Sequence, residues 1–171
     1  MNRIHAYTGS HGTGKSTAVA DRTGTLKRLY PGKSIHPVMD QEAFCDLPIN
    51  GETSPESQMW IFSRILNHEI YLLHRFDIIV TDRTVVDPAA YTFASGFESL
   101  AADMLAMATH HMHNYERITF RRIITNEFCH SDGIRETKDK QFRQQVEDVL
   151  LDMYISLVEQ GVISPNALVY E

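Results

Sequence analysis

The sequence is short of several things, and each shortage excludes a class of protein. It has two cysteines, Cys45 and Cys129, in 171 residues. They lie far apart without CxxC spacing, so neither a disulfide framework nor a thiolate zinc site is expected. No run approaches the roughly 18–20 apolar residues that a membrane-spanning helix needs, so no membrane partner is expected. No apolar core follows Met1–His5, so no secretory signal is read there. Positive charge is also scarce. The 16 Lys and Arg stand against 22 Asp and Glu, for a formal net charge of -6. A polymeric nucleic acid demands clustered cations along its backbone, so none is expected as a partner. A small phosphorylated ligand held by a few local cations is compatible with that charge. No repeat and no low-complexity segment interrupts the chain. The expectation is one domain over residues 1–171, in a reducing cytoplasm, with a homodimer allowed.

What is present is an alternation of short apolar runs with longer helical periods. Arg3 to Thr8 reads as a strand, and Lys15 to about Tyr30 as a helix stopped by Pro31-Gly32. Ser34 to Met39 reads as a second strand. Thr53 or Ser54 caps a long helix that runs to about Arg75, with Pro55 in its first turn. Phe76 to Asp82, FDIIVTD, has the profile of a buried parallel strand. Asp87-Pro88 opens helical character that continues to about Asn114, with a break at Ser95-Gly96. Glu116 to Ile124 contains a fourth strand. Asp139 to Gln160 has helical spacing in Phe142, Val146, Val149, Leu150, Met153 and Leu157, and Ala167 to Glu171 is a last strand. The alternation predicts an α/β domain with a mainly parallel, five-stranded sheet.

The chemistry is concentrated near the start. Gly9-Ser10-His11-Gly12-Thr13-Gly14-Lys15-Ser16 satisfies GxxxxGK[ST] at every fixed position, and Thr17 follows. Glycines let the backbone curl so that successive N–H groups face a polyphosphate. The helix beginning beyond Gly14 adds its positive end. Lys15 reaches the β- and γ-phosphates, and Ser16 supplies a hydroxyl to Mg²⁺. The loop follows a strand and opens a helix, as this use requires. ATP and Mg²⁺ are therefore the expected cofactors. His11 occupies a variable position of the loop, where its backbone matters more than its ring.

Asp82 ends the apolar strand and can hold Mg²⁺ beside that loop. Arg83 follows it, where many work-performing ATPases have a glutamate that activates water. No NKxD motif specifies guanine. Phosphoryl transfer to a small acceptor is the chemistry these features favour. Asp40 sits at the carboxyl end of the second strand, where open α/β sheets bind ligands, and is the expected catalytic base, with Glu42 as its substitute. Gln58 can read the edge of a base, with Trp60 and Phe62 either stacking on it or lying in the core. Arg83, Asp87 and Tyr91 share the connection after Asp82. Arg83 suits a phosphate or sugar oxygen, and Asp87 a sugar hydroxyl or a helix cap. Arg121, Arg122 and Arg135 flank a polar segment that suits a lid at about 121–138, with Arg135 expected to stabilise the migrating phosphoryl group. His110, His111 and His113 resemble a metal cluster but read better as a solvated helix end.

GSHGTGKST, TDRTVVDPAAY and the late DGIR before a long helix together resemble small P-loop kinases of the nucleoside/nucleotide kinase-like group, which includes ribosylnicotinamide kinases. Deoxynucleoside and thymidylate kinases are more distant members of that circle. The resemblance spans nearly the whole chain, and its first motif is the specific one. It implies a three-layer α/β/α nucleoside-triphosphate hydrolase fold, Mg-ATP as donor, and an acceptor between the second helix and the TDR connection. The lid lacks the dense arginine series of many nucleoside monophosphate kinases. The expected activity is ATP-dependent phosphoryl transfer to a nucleoside or nucleotide. The alternatives are a regulatory nucleotide-binding ATPase and a kinase acting on a non-nucleotide metabolite.

Overall fold

A computed structural model describes residues 3–49, 53–123 and 140–171. Among these residues, five strands are joined by five α-helices: β1 Ile4–Thr8, α1 Lys15–Leu29, β2 Ile35–Val38, α2 Pro55–Leu73, β3 Ile78–Thr81, α3 Asp87–Ala94, α4 Glu98–Thr109, β4 Tyr115–Phe120, α5 Lys140–Glu159 and β5 Leu168–Tyr170. All the pairings are parallel, in the order β2-β3-β1-β4-β5. The expected α/β sheet is present, and its five strands are all parallel. Cys129, Arg135 and most of the expected lid lie outside the described residues.

Local sequence explains the element ends. Ser54 caps α2: its side chain accepts from the Ser57 amide, while the Ser57 hydroxyl accepts from the Ser54 amide. Gly96, at φ 88, ends the α3 segment where the sequence expects a break. Pro37 is tolerated in β2 because β2 is an edge strand and has no second neighbour to receive an N–H.

The two faces of the sheet are covered unequally. Strand alternation sends Tyr7, Ile35 and Val80 to one face, where Ala18, Val19 and Leu26 of α1 cover them. Ile4, Ala6, Ile79, Ile118 and Phe120 face the other side, against residues of α2, α3, α4 and α5. Ile4, Ile79 and Ile118 are wholly shielded from solvent, and each such aliphatic group contributes roughly 1.5–3 kcal/mol through burial. This gives the three layers that the resemblance implies.

The strand order creates the crevice. After β1 the chain crosses one face to β2, while after β3 it crosses the other face to β4. The two connections therefore diverge above the adjacent carboxyl ends of β1 and β3, which is where ligands settle in open α/β sheets.

Candidate active site

The loop between β1 and α1 curls in the manner its glycines allow. Gly9, Gly12 and Gly14 all have positive φ, at 133, 72 and 75. At Gly9 a side chain is excluded twice over, because a Cβ would collide with the Arg121 carbonyl. Lys15 is buried and folds back over the loop. Its Nζ donates to the carbonyls of Gly9 at 2.9 Å and Ser10 at 2.7 Å. The Thr13 hydroxyl also donates to the Ser10 carbonyl. Thr17 is exposed in the first turn of α1.

Asp82, the residue after β3, meets this loop. The Ser16 hydroxyl donates to its Oδ2 at 2.9 Å, and the Asp40 amide does so at 3.3 Å. Asp82 is 1% exposed, and its Oδ1 has no hydrogen-bond partner. Burial, with Glu42 nearby, raises its pKa, against the pull of Arg83, Lys15 and Ser16. A buried carboxylate oxygen left without a donor, beside a hydroxyl, suits a hard cation. Mg²⁺ is commonly held by one or two carboxylates, with water and phosphate oxygens completing its shell. Among the described residues no three His, Cys, Asp or Glu side chains gather into a dedicated metal cage. The residues therefore fit a magnesium ion that arrives with a nucleotide.

Beyond the loop is a small, half-open cavity of about 40 Å³, walled by residues that include His11, Glu42, Gln58, Arg83, Tyr91 and Phe142. Arg83 donates from Nη2 to Glu42 Oε1 at 2.8 Å, and its guanidinium lies 5.0 Å from the centre of the Tyr91 ring. Burial opposes the charge on Arg83, but Glu42, Tyr91 and Asp87 together outweigh it and its pKa rises. The Arg83 Nε, also buried, has no hydrogen-bond partner. Gln58 is buried in the cavity wall, with its amide donating to the Thr53 hydroxyl.

The structure sorts the other candidates. Asp40, at φ 52, turns its amide to Asp82 and is not a wall of the cavity, whereas Glu42 is. Asp87 is the first residue of α3, not its cap. Its Oδ2 accepts from the Thr8 hydroxyl and from the amide and hydroxyl of Thr84, and it is not among the residues that line the cavity. Burial raises the Asp87 pKa. Arg121 stays near the loop, with its amide donating to the Thr8 carbonyl. Arg122 is exposed and points toward Tyr170 of β5. Phe62 lies in the core, while Trp60 borders a separate groove on the outside of α2.

Two histidines stand out, and for one of them, His111, the expectation is corrected. The His11 ring itself lines the cavity, with Nδ1 3.3 Å from the Tyr91 hydroxyl. His111 is not a solvated helix end. It is buried, with Nε2 2.9 Å from Glu69 Oε2. That same oxygen accepts from the Tyr115 hydroxyl, which in turn accepts from the Val85 amide. Burial raises the Glu69 pKa despite these donors. Thr84 lies 2.6 Å from the Tyr154 hydroxyl of α5. The connection that follows Asp82 is thus anchored by α5 at Thr84 and, through Tyr115, by α2 at Val85.

Sequence reasoning missed Glu69 and Arg143. Glu69 falls on the buried stripe Ile61, Ile65, Leu72 of α2, and Arg143 on the stripe Val146, Leu150, Tyr154, Leu157 of α5. A charged residue in register with an apolar stripe was the available signal, because such a charge must find a partner inside.

Neither the known protein families nor the curated proteins include a match to this sequence. In structure the chain is similar to a thymidylate kinase from Ehrlichia chaffeensis, with a TM-score of 0.64 at 14% identity. The likeness covers 98% of this chain and 85% of that one, and at such identity it is a likeness of fold.

Proposed function

We propose that the protein transfers the γ-phosphoryl group of ATP to a small acceptor, a nucleoside or nucleotide. One observation carries this reading: His11 of the phosphate loop and the Arg83–Glu42 pair line the same half-open cavity. A donor phosphate on the loop then faces an acceptor within reach of a buried cation and a buried carboxylate. A Mg²⁺ ion on Ser16 and Asp82 would neutralise charge on the donor phosphates.

The chain's own residues supply position and field. Lys15 moves from the loop carbonyls to the phosphates. Arg83, held by Glu42 and Tyr91, presents its guanidinium to the acceptor or the phosphoryl group. Glu42 orients the acceptor hydroxyl and takes its proton, and we prefer it to Asp40 because it borders the cavity. Phosphoryl transfer asks little of a base and much of alignment, so an ion-paired carboxylate suffices. Gln58 in the cavity wall suits hydrogen bonding to a base edge. The fold shared with a thymidylate kinase supports a nucleotide acceptor.

The test is ADP release from Mg-ATP against a panel of nucleosides, deoxynucleosides and their monophosphates. Strong stimulation by one member, with a phosphorylated product by mass, is expected. A slow rate indifferent to the whole panel would sink the nucleotide acceptor.

A further inference from the structure

We infer that Arg143 is a positioning residue that holds the main chain of the phosphate loop, an inference that rests on the proposed donor site. A loop that turns its N–H groups inward must turn carbonyls outward, and each buried carbonyl needs a donor. Three successive carbonyls are held by cationic side chains. Lys15 takes those of Gly9 and Ser10, and Arg143 takes that of His11 from Nε at 3.1 Å. Arg143 is 1% exposed, so this contact is made away from competing water.

The two cations differ in what a nucleotide does to them. Lys15 must leave its carbonyls to reach the phosphates. Arg143 comes from α5 and keeps its hold on the His11 carbonyl while Lys15 moves. The neighbouring Phe142 packs edge-on to Tyr91, at 6.2 Å between ring centres, and Tyr91 touches His11. The first turn of α5 therefore contacts the donor loop through Arg143 and the acceptor cavity through Phe142.

The experiment is amide hydrogen exchange on the ligand-free full chain, paired with calorimetric titration of Mg-ADP, for wild type, Arg143→Met and Arg143→Lys. In Arg143→Met, exchange at residues 9–14 is expected to rise at least tenfold while the amides of β1 and β3 keep their protection. Mg-ADP is expected to bind at least tenfold more weakly. Arg143→Lys, which keeps a cation and a donor, is expected to recover part of both. If Arg143→Met does not fold, Arg143→Lys alone must show faster loop exchange than wild type with an intact sheet. Wild-type loop protection in the folded variant, or loosening spread evenly over the sheet, overturns the inference. Failure of the wild-type protein to bind Mg-ADP is a different result. It removes the proposed donor site, while the exchange data still judge the strut.

Discussion

Strand β3 has an aspartate beyond each end, and the two live under opposite conditions. Asp77 precedes the strand and is only partly buried. It accepts from the amide and hydroxyl of Ser34 and from Lys33, and these donors, led by the Ser34 amide, push its pKa to about 2. Asp82 follows the strand, is buried, and keeps one oxygen without a donor. Burial drives its pKa upward. The fold satisfies Asp77, whereas Arg83 and Lys15 do not offset the burial of Asp82. One carboxylate ties the turn before β2 to the sheet. The other carries a cost that a bound cation would remove.

The comparison breaks most visibly at Asp82. Asp82→Asn is expected to lower the Mg-ATP-dependent rate on the order of 10³-fold, the scale of losing a charged group at the reacting phosphates. The same variant is expected to melt at a higher temperature than wild type without ligand, because the buried charge is gone. The sign follows from the raised pKa. Above it the ionised carboxylate costs the fold stability, and that cost fades as pH falls from the raised value toward the ordinary 3.8. Mg²⁺ affinity should fall over the same window, which a titration of Mg-ADP binding against pH reads directly. A lower melting temperature for Asp82→Asn at neutral pH would refute the account.

Glu42→Gln is the next largest change. It keeps the shape of the cavity and is expected to lower kcat by roughly 10²-fold with a smaller effect on the KM for ATP. An unchanged kcat would return the base role to Asp40.

Gly9→Ala should destabilise the protein by roughly 1–3 kcal/mol, since the new Cβ meets the Arg121 carbonyl and the φ of 133 is strained. Thermal melting measures it. Asp77→Asn is the smallest change. Its depressed pKa means that Asp77 supports the fold above about pH 3.8 and ceases to as pH falls toward about 2. The variant is expected to melt slightly lower at neutral pH and to lose less stability than wild type over that acid window. Equal acid sensitivity in the two proteins would remove Asp77 from this role.

Much of the frame was legible along the chain, because it depends on neighbours in sequence. The strand–loop–helix around Gly9–Ser16, the Ser54–Pro55 helix start and the break at Ser95-Gly96 each arise from backbone preferences within a few residues. The order of strands and helices followed from periodicity. The pairing of Ser16 with Asp82 followed from the strand each element extends.

What the sequence determined by itself was therefore the α/β class and the glycine-curled loop between β1 and α1, since glycine geometry and apolar period are local properties. The tertiary structure decided which polar residues share a cavity. It put Glu42 with Arg83 and turned Asp40 aside, brought the His11 ring to Tyr91, and carried Arg143 from the other end of the chain to the His11 carbonyl. It also withdrew Asp87 and His111 into buried networks. The reason is physical. A buried charge or donor is stable only where a partner is within reach, and the partners here lie 41 to 132 residues away in sequence.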